Sequence, residues 1–585
     1  MRTIAIVGAG ESGAQLALAL QRSGHNVTLF SDRSAQQIRS GSITSSQCVF
    51  SSALRVQQPL DIPEANTQEL GIVGLHLNIS GGNISGNAGD SGREAIDWQG
   101  TLDRPALSVD QRVKSAHWVE TFITRGGDFR IEKLSVRRLE EVAALFDLVV
   151  VGTGKGELGQ IFATDRAKSP FDRPQRAVAV TYVVPAHGTS EETDSRHIRM
   201  NMVPGVGEFF TFPGLSTQGP CQMMVFEGLP GGPMDCWDSV NTPDEHLETS
   251  LGILREHFPH EYPRFAGSVL NDPGAALRGR INPVVRSAVG TLPGGRIIMG
   301  LGDAIMLNDS LTGQGSNNAT LAADHYARAI DAHGEEVFDE QWMLRTFDEF
   351  WRGWGQFSTV WTNSMLRERK DWQLKVLAKA QHHDALATAL TNGFDDPRTL
   401  FPWWFEPEEA QAFMERAVAE ESAIFDLRDF RSTLGQFATG VTVVTTRTPQ
   451  GHKVGMTANS FTSVSMDPPL VLWCPSKFAP SLDDFEASTH FAINVLESSQ
   501  HVLSRQFATP AEDKFAGVDT VEGVAGVPLL TGAVATFQCR TVARHQAGDH
   551  VIYVGEVEKY TRTEGDPLVF HAGAYHRTAL HPDFS

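Results

Sequence analysis

The first 33 residues constrain the fold more than any other stretch. Arg2-Thr3-Ile4-Ala5-Ile6-Val7 is an apolar run too short for a helix, and it feeds Gly8-Ala9-Gly10-Glu11-Ser12-Gly13. The apolar-spaced run Ala14 to Arg22 then opens, giving strand, glycine-rich turn and helix in order. In that order Gly8 permits a tight turn, Gly10 lets a pyrophosphate approach the backbone, and Gly13 allows helix and strand to pack closely. The helix N-terminus presents unpaired N–H groups and a positive dipole end to the phosphates. A second strand, Asn26 to Phe30, ends at Ser31-Asp32-Arg33, and Asp32 falls roughly twenty residues on, where an acid hydrogen-bonds a ribose hydroxyl. The chain is expected to open by binding a dinucleotide through Gly8, Gly10, Gly13, Asp32 and Arg33.

At 585 residues the chain exceeds one ordinary domain. Its 41% hydrophobic and 20% charged content fits a soluble globular protein, and no run approaches eighteen apolar residues, so no membrane span is expected. Met1-Arg2 leads straight into the first strand, leaving no room for a cleavable signal. The five cysteines, Cys48, Cys221, Cys236, Cys474 and Cys539, are scattered without a CxxC or Cys/His cluster. That pattern fits a reducing cytoplasm and no metal site. A formal charge of −21 opposes nucleic-acid binding and favours solubility.

After a polar segment, Ser34 to Ser46, comes the more apolar Gln47 to Val56. The Gly/Ser/Asn-rich patch Ile79 to Gly92 reads as a surface hairpin or loop, and a helical pattern over Val113, Ala116, Val119, Phe122 and Ile123 stops at Gly126-Gly127. Leu145 to Gly154 is a buried-strand run able to return the chain to the first sheet, and 176–230 alternates as in an antiparallel sheet. A second signal follows. Arg296 to Gly300 is an apolar strand ending in Gly302-Asp303, and Gly313-Gln314-Gly315-Ser316-Asn317 opens a long helix. An acid at a strand end can accept a hydrogen bond from a ribityl chain. Glycines before a helix let a flat ring lie against bare backbone, at an end that stabilises negative charge. These residues are candidates for a flavin.

GAGESG at 8–13, SPFDRPQRAVAV at 169–180, GLGDA at 300–304 and LTGQGSNNA at 311–319 together resemble the oxygenase component of two-component styrene and indole monooxygenases. The likeness covers about residues 1–410. It implies a fold like that of p-hydroxybenzoate hydroxylase: a Rossmann-like FAD-binding domain with an inserted antiparallel β substrate subdomain. It also implies reduced FAD, a C4a-hydroperoxyflavin, and transfer of one oxygen from O2 to a vinyl or indole double bond. The pocket segment Gln47-Cys48-Val49-Phe50 is neutral and mostly apolar, as suits chemistry that needs shelter from water more than an acid or base. Where styrene-type members resemble Arg-Leu-Leu-Asn, this chain has Ile43-Thr44-Ser45-Ser46; Ser46 is closer to indole-preferring members, while Cys48 and Phe50 match neither type. Arg112 could reach the flavin phosphates or be a solvated surface arginine.

Trp342, Phe347, Phe350, Trp351, Trp354 and Trp361 are spaced as in amphipathic helices and read as core packing. Residues 411–425 lie in a stretch of good helix propensity without a core-sized apolar face, expected to be a helical linker. From Asp426 the pattern changes to strands with little helix, as in a small β-barrel. GMTANSFTSVSMDPPLVLW, FAINVL, GDHVIYVGEV and HAGAYHRT are similar to the short-chain NADH:flavin oxidoreductases that serve two-component monooxygenases. That resemblance implies a split β-barrel, usually dimeric. Thr457, Asn459, Ser460 and Ser463 would hold flavin, and His550 and Tyr575 would meet the nicotinamide cofactor; a satisfied core histidine is the rival reading of His550.

The expected architecture is α/β: an oxygenase domain over 1–410, a linker over 411–425 and a reductase domain over 426–585. The expected cofactors are FAD and NADH, with no metal. The expected partners are O2, an aromatic alkene or indole, a second copy bound through the reductase domain, and possible service to a separate oxygenase subunit. Two rivals are a flavin-dependent halogenase fused to its reductase and a non-catalytic flavin redox sensor. The first needs a pocket lysine, yet no lysine precedes Lys114.

Overall fold

The computed structural model describes residues 1–60, 70–79, 96–154, 156–186, 196–424, 427–511, 513–581 and 583. Most of the glycine-rich patch read over 79–92 therefore lies outside the described residues. The chain divides into two compact units, Met1–Glu421 and Ser422–Ser585.

In the first unit, Thr3–Val7 lies parallel to Asn26–Ser31 on one side and to Leu148–Val151 on the other. Across the sheet the order is Val289–Thr291, Ile297–Gly300, Leu148–Val151, Thr3–Val7, Asn26–Ser31, Asp128–Ile131. Only the hairpin Val289–Thr291/Ile297–Gly300 runs antiparallel. A parallel sheet is covered on both faces, so its strands are continuous apolar runs, and Ile4 to Val7 and Leu148 to Val151 are buried throughout. The return of 145–154 to the first sheet thus occurs as the sequence predicts. Helix Glu11–Arg22 packs on Gln314–His333 and Gln111–Thr124.

A second, eight-stranded sheet is mainly antiparallel. It runs Val269–Leu270, Ala177–Val184, Gly219–Gly228, Gly207–Ser216, His197–Val203, Ile72–Ile79, Ile96–Ala106, with Ala276–Arg280 also against Ala177–Val184. Alternate residues face opposite cores. Val178, Val180, Tyr182, Phe210 and Phe212 pack with Trp361, Leu377 and Leu390, while Ala179, Val183, Phe209 and Phe226 pack with Trp237, Leu254 and Phe258. Helices Glu340–Phe350, Gln356–Met365, Asp371–Ala380 and Asp384–Asp395 supply the tryptophan-rich layer, with a π-turn at Trp351–Gly355. The stretch expected as a linker belongs to helix Pro407–Ile424, and it is not free of the core. Ala410, Met414 and Ala417 are buried there, and Phe413 stacks on Trp403 at 4.1 Å. Ala410, Met414 and Ala417, four and three apart, form a face too narrow to register as hydrophobic in sequence, and Phe413 beside it adds the stack on Trp403.

The second unit holds a seven-stranded antiparallel sheet. Its order is Lys453–Ala458, Thr442–Arg447, His490–Val495, Ala535–Ala547, His550–Arg562, Pro469–Trp473, Thr462–Met466. Its two outermost strands are consecutive in the chain and joined by only residues 459–461, so the sheet curls to bring its ends together. Val444, Trp473, Phe485, Phe491, Ile493 and Tyr553 fill the interior. The long hairpin Ala535–Ala547/His550–Arg562 shifts register near Cys539 and again near Val542. Helix His501–Ala508, absent from the sequence reading, packs on Lys453–Ala458.

Candidate functional site

The first glycine turn forms where the parallel strands end. Gly8 has φ +111°, a conformation that favours glycine, and a methyl on Gly13 would overlap the Gly8 carbonyl oxygen. Gly10 differs: its φ is −76°, and a Cβ there would meet nothing within 4 Å. Gly10 also caps helix Glu11–Arg22 without a side-chain hydrogen bond. The turn therefore leaves bare backbone and unpaired N–H groups facing open space, which is what a pyrophosphate needs. Asp32 and Arg33 lie exposed just past strand Asn26–Ser31, with Arg33 Nε 3.5 Å from Asp32 Oδ1.

Gly302-Asp303 comes to the same strand ends. Leu301 N–H donates to the Val151 carbonyl at 2.8 Å, and a Cβ on Gly302 would sit 2.8 Å from Ser12 Oγ. Gly313, with φ +64°, starts helix Gln314–His333 without a side-chain cap, and a Cβ on Gly315 would meet nothing within 4 Å. Gln314 is fully buried; its Nε2 donates to the Phe394 carbonyl at 2.9 Å, and its Oε1 has no donor. Asn317 binds the predicted pocket segment directly. Its Oδ1 accepts the Phe50 N–H at 2.9 Å, and its Nδ2 donates to the Cys48 carbonyl at 3.0 Å. The structure thus brings Cys48 and Phe50 to the Gly313–Asn317 helix start, with half-buried Ser46 two residues before Cys48.

Burial pushes the Cys48 thiol far above its ordinary range, so it stays protonated. Phe50 leans on Phe394 (6.1 Å between ring centres), which meets Trp361 edge-on at 4.8 Å. Beyond them is an apolar cavity of about 30 Å³ lined by Leu75, Trp98, Met200, Trp361, Phe394 and Trp404, among others. The larger cleft of about 530 Å³, around Asp165, Lys168 and Arg286, contains none of the predicted site residues.

Arg112 has to be removed from the predicted phosphate contacts. It is 3% exposed and donates to Asp110, to Asp272 and to the Gly41 carbonyl through Nε, Nη1 and Nη2, at 2.7–3.0 Å. All five of its donors are engaged, none remains for a phosphate, and it is neither solvated nor at the surface. Sequence reasoning missed a different residue. Glu11, inside the fingerprint, is buried and ion-pairs with buried Lys114. It also accepts from Gln47 and Gln57 at 2.9 Å and from Thr320 at 3.3 Å. One carboxylate thereby ties the first turn, the pocket segment and the later helix together. Its place at the first helical position, where an acid meets the dipole, was the available signal.

In the second unit, Thr457 Oγ1 donates to the Ser504 carbonyl at 2.6 Å, and the Tyr575 hydroxyl lies 2.9 Å from Ser504 Oγ. Thr457 and Tyr575 therefore meet around helix His501–Ala508. Ser460 Oγ accepts the Cys474 N–H at 2.9 Å, next to the Ser476↔His550 bridge. Asn459 and Ser463 are exposed. His550 is not a core histidine: its side chain is 45% exposed and its Nδ1 lies 2.8 Å from Asp549. The structure thus places Tyr575 beside Thr457, and His550 on the Ser460 side.

Comparison with known proteins follows this division. Residues 434–579 match the flavin reductase like domain, and residues 154–264 match the styrene monooxygenase A putative substrate binding domain. An FMN reductase (NADH), SmoA, of Agrobacterium fabrum is 51% identical over 150 residues, 26% of this chain and 85% of that protein. The reductase subunit HsaB of a flavin-dependent monooxygenase from Rhodococcus jostii is 42% identical over 168 residues, 28% of this chain and 84% of its own length. Styrene monooxygenase StyA of Pseudomonas fluorescens is 28% identical over 418 residues, 70% of this chain and 96% of that protein. An oxygenase-like region and a flavin reductase domain on one polypeptide define a fused flavin monooxygenase. The chain belongs to the flavin reductase-like family at its C-terminal end and carries a StyA-like region before it.

Proposed function

We propose that this chain is a self-sufficient epoxidase: the C-terminal domain reduces FAD with NADH, and the N-terminal domain uses the reduced flavin with O2 on a styrene-like or indole-like aromatic alkene. The observation that carries it is the convergence of two glycine turns with open backbone, at Gly10 and Gly315, with the apolar segment Cys48–Phe50 held against the second by Asn317. Neither rival is favoured by the relatives, and Lys114, the first lysine of the chain, is occupied by Glu11.

The sheet order around Thr3–Val7, with an inserted antiparallel sheet, supports a Rossmann-like, p-hydroxybenzoate hydroxylase-like reading of the first domain. The curled seven-stranded sheet supports a split barrel for the second. The break in contacts near residue 421 supports two domains, for which we keep 1–410 and 426–585 as working limits. The residues fit the cofactor. The Gly10 turn and the helix start at Glu11 would take the pyrophosphate, Asp32 a ribose, Asp303 the ribityl chain, and Gly313–Asn317 the ring, with Gln314 Oε1 still needing a donor. Thr457, Asn459, Ser460 and Ser463 would hold flavin in the reductase domain, with Tyr575 and His550 toward the nicotinamide. When bound, flavin supplies the two-electron redox chemistry and the activation of O2.

The protein's own part is orientation and dryness. Phe394, Trp361 and Trp98, with Phe50 behind Phe394, border an apolar space for the alkene, and no acid or base lines it. At about 30 Å³ that space is far below the ~300 Å³ at which ligand pockets begin, so admitting a ring requires these aromatics to part. In the reductase domain Met466 (92% exposed), Phe478 (84%) and Phe437 (78%) support dimerisation through that domain. Five unpaired cysteines support a cytoplasmic location. Among the described residues no helix is long and apolar enough to cross a membrane, and no group of three His, Cys, Asp or Glu is placed to hold a metal.

The test is incubation of the purified chain with NADH, FAD, air and either styrene or indole. Styrene oxide or a blue indole-derived pigment supports the reading, and stimulation by an added oxygenase subunit would reveal a separate partner. NADH consumption with hydrogen peroxide as the sole product from every alkene refutes it.

A further inference from the structure

The Arg173–Ala177 motif is explained by a buried chain of charges rather than by contact with the glycine turns. Arg176 makes a two-pronged ion pair with Glu208, Nε to Oε2 at 2.7 Å and Nη2 to Oε1 at 2.9 Å, which occupies both Glu208 oxygens. Directly opposite Glu208 on the neighbouring antiparallel strand is Glu227, so the two carboxyl groups share one face of the sheet. Glu227 is fully buried and neither of its oxygens has a donor. Against it lies Asp309, 1% exposed, whose Oδ1 accepts the Leu311 N–H at 3.1 Å while Oδ2 has no donor. The other polar groups facing this point are Ser310 from the same turn, Arg176 and, beyond Glu208, Arg369 from the segment after helix Gln356–Met365. Two buried carboxyl groups in contact, with the nearest arginine already spent on Glu208, satisfy each other only when one carries a proton.

We infer that Glu227 is a protonated acid donating to the Asp309 carboxylate, and that this pair is a positioning element holding the Asp309–Gly313 turn, with the helix start it leads into, against the antiparallel sheet. The proton belongs on Glu227 because Asp309 already has the Leu311 N–H and the nearby Arg176 to stabilise its charge. Burial first, then the negative charge of Asp309, pushes the Glu227 carboxyl well above the usual range. The arrangement links the Arg-Pro-Gln-Arg-Ala and Gly-Gln-Gly motifs within this chain: Arg176 neutralises Glu208, and Glu227 opposite it meets the turn that leads into Gly313. Removing the proton at alkaline pH sets two negative charges face to face under the turn. The role in flavin positioning rests on the reading that flavin lies at Gly313–Asn317.

The experiment compares the full chain with Glu227→Gln, an amide that donates permanently, and Glu227→Leu, which cannot donate. Infrared difference spectra of the flavin-free proteins report the carboxylic acid C=O stretch. Melting against pH reports the proton independently: the native state retains a proton that an unfolded glutamate releases above 4.5. Wild type should therefore lose stability relative to Glu227→Gln as pH rises from there, until the native group itself ionises. Product formed per NADH oxidised then reports flavin positioning. The expected results are an acid band that Glu227→Gln abolishes, a melting difference that widens with pH, and wild-type coupling that falls on the alkaline limb. Coupling in Glu227→Gln should stay within about twofold of wild type at neutral pH and remain flat, while Glu227→Leu should lose at least about tenfold, as a buried acceptor left without its donor does. Absence of an acid band sensitive to Glu227→Gln, or wild-type coupling in Glu227→Leu, overturns the inference. If the band and the melting difference are present but no protein forms product at any pH, the flavin site is refuted and the shared proton stands.

Discussion

Replacing Gly10 by alanine separates a ligand-binding turn from a bare glycine turn. Gly10 sits at φ −76°, ψ −169°, extended backbone that alanine adopts freely, and its Cβ would meet nothing within 4 Å. The cost to the fold is that of a changed helix cap, ~0.5–1 kcal/mol. In a unit spanning Met1–Glu421 that lowers the melting temperature by only about 1 °C. A pyrophosphate lying on the Gly10 backbone would meet the new methyl at once and have to retreat. A retreat that breaks even one charge-assisted hydrogen bond costs about 1.5–3 kcal/mol, or a factor of roughly 10 to 150 in affinity. The assay is the ratio of organic product to NADH oxidised, titrated with FAD, in the full chain. Gly10→Ala should oxidise NADH at the wild-type rate, because the reductase unit is untouched, while needing at least about tenfold more FAD for coupled product. Wild-type coupling at wild-type FAD concentration would show that no phosphate approaches Gly10, and the flavin site would have to be sought elsewhere.

Gly13→Ala should behave differently. Its methyl would overlap the backbone carbonyl of Gly8, which cannot rotate away, so the unit should lose ~1–3 kcal/mol or more in denaturant melts as well as FAD-dependent product. Lys114→Met strands the buried Glu11 carboxylate and should cost ~3–5 kcal/mol, with much of that recovered in the double variant Lys114→Met/Glu11→Gln; single and double variants that melt alike would refute the pairing. Tyr575→Phe removes the hydroxyl next to Ser504 and should slow NADH oxidation without changing the product-to-NADH ratio, since it acts only in the reductase unit. His246, whose burial pulls it down to about 4 from 6.5, is neutral in the native state while the unfolded chain takes a proton below 6.5. Stability should therefore fall as pH drops from 6.5 toward 4, and His246→Phe should flatten that slope in melting curves.

Features within one local stretch were legible in the sequence. The Gly8–Gly13 turn, the strand at 148–151 and the Gly313 helix start are each fixed by their own residues, because glycine conformation and apolar runs are local properties. Contacts that depend on distant partners were not. Arg112 was open between phosphate ligand and surface residue because Asp272, which takes two of its N–H groups, is 160 positions away. Glu11 gave no sign of Lys114, and the docking of helix Pro407–Ile424 depended on Trp403 offering a flat face to Phe413. His550 was ambiguous for the same reason, since only the sheet register puts it at a partly exposed strand end beside Ser476. Sequence patterns located the turns, strands and helix starts, and tertiary pairing decided which side chains in them are already engaged.

The central claim is that the N-terminal unit spends reduced flavin on an alkene, and the most direct test removes the reductase from the reaction altogether. Chemically reduced FAD, mixed with the whole chain under air in the presence of styrene or indole and without nicotinamide, should yield styrene oxide or blue pigment in proportion to the flavin supplied. Full conversion of the flavin's electrons to hydrogen peroxide, with neither organic product formed, would contradict the account.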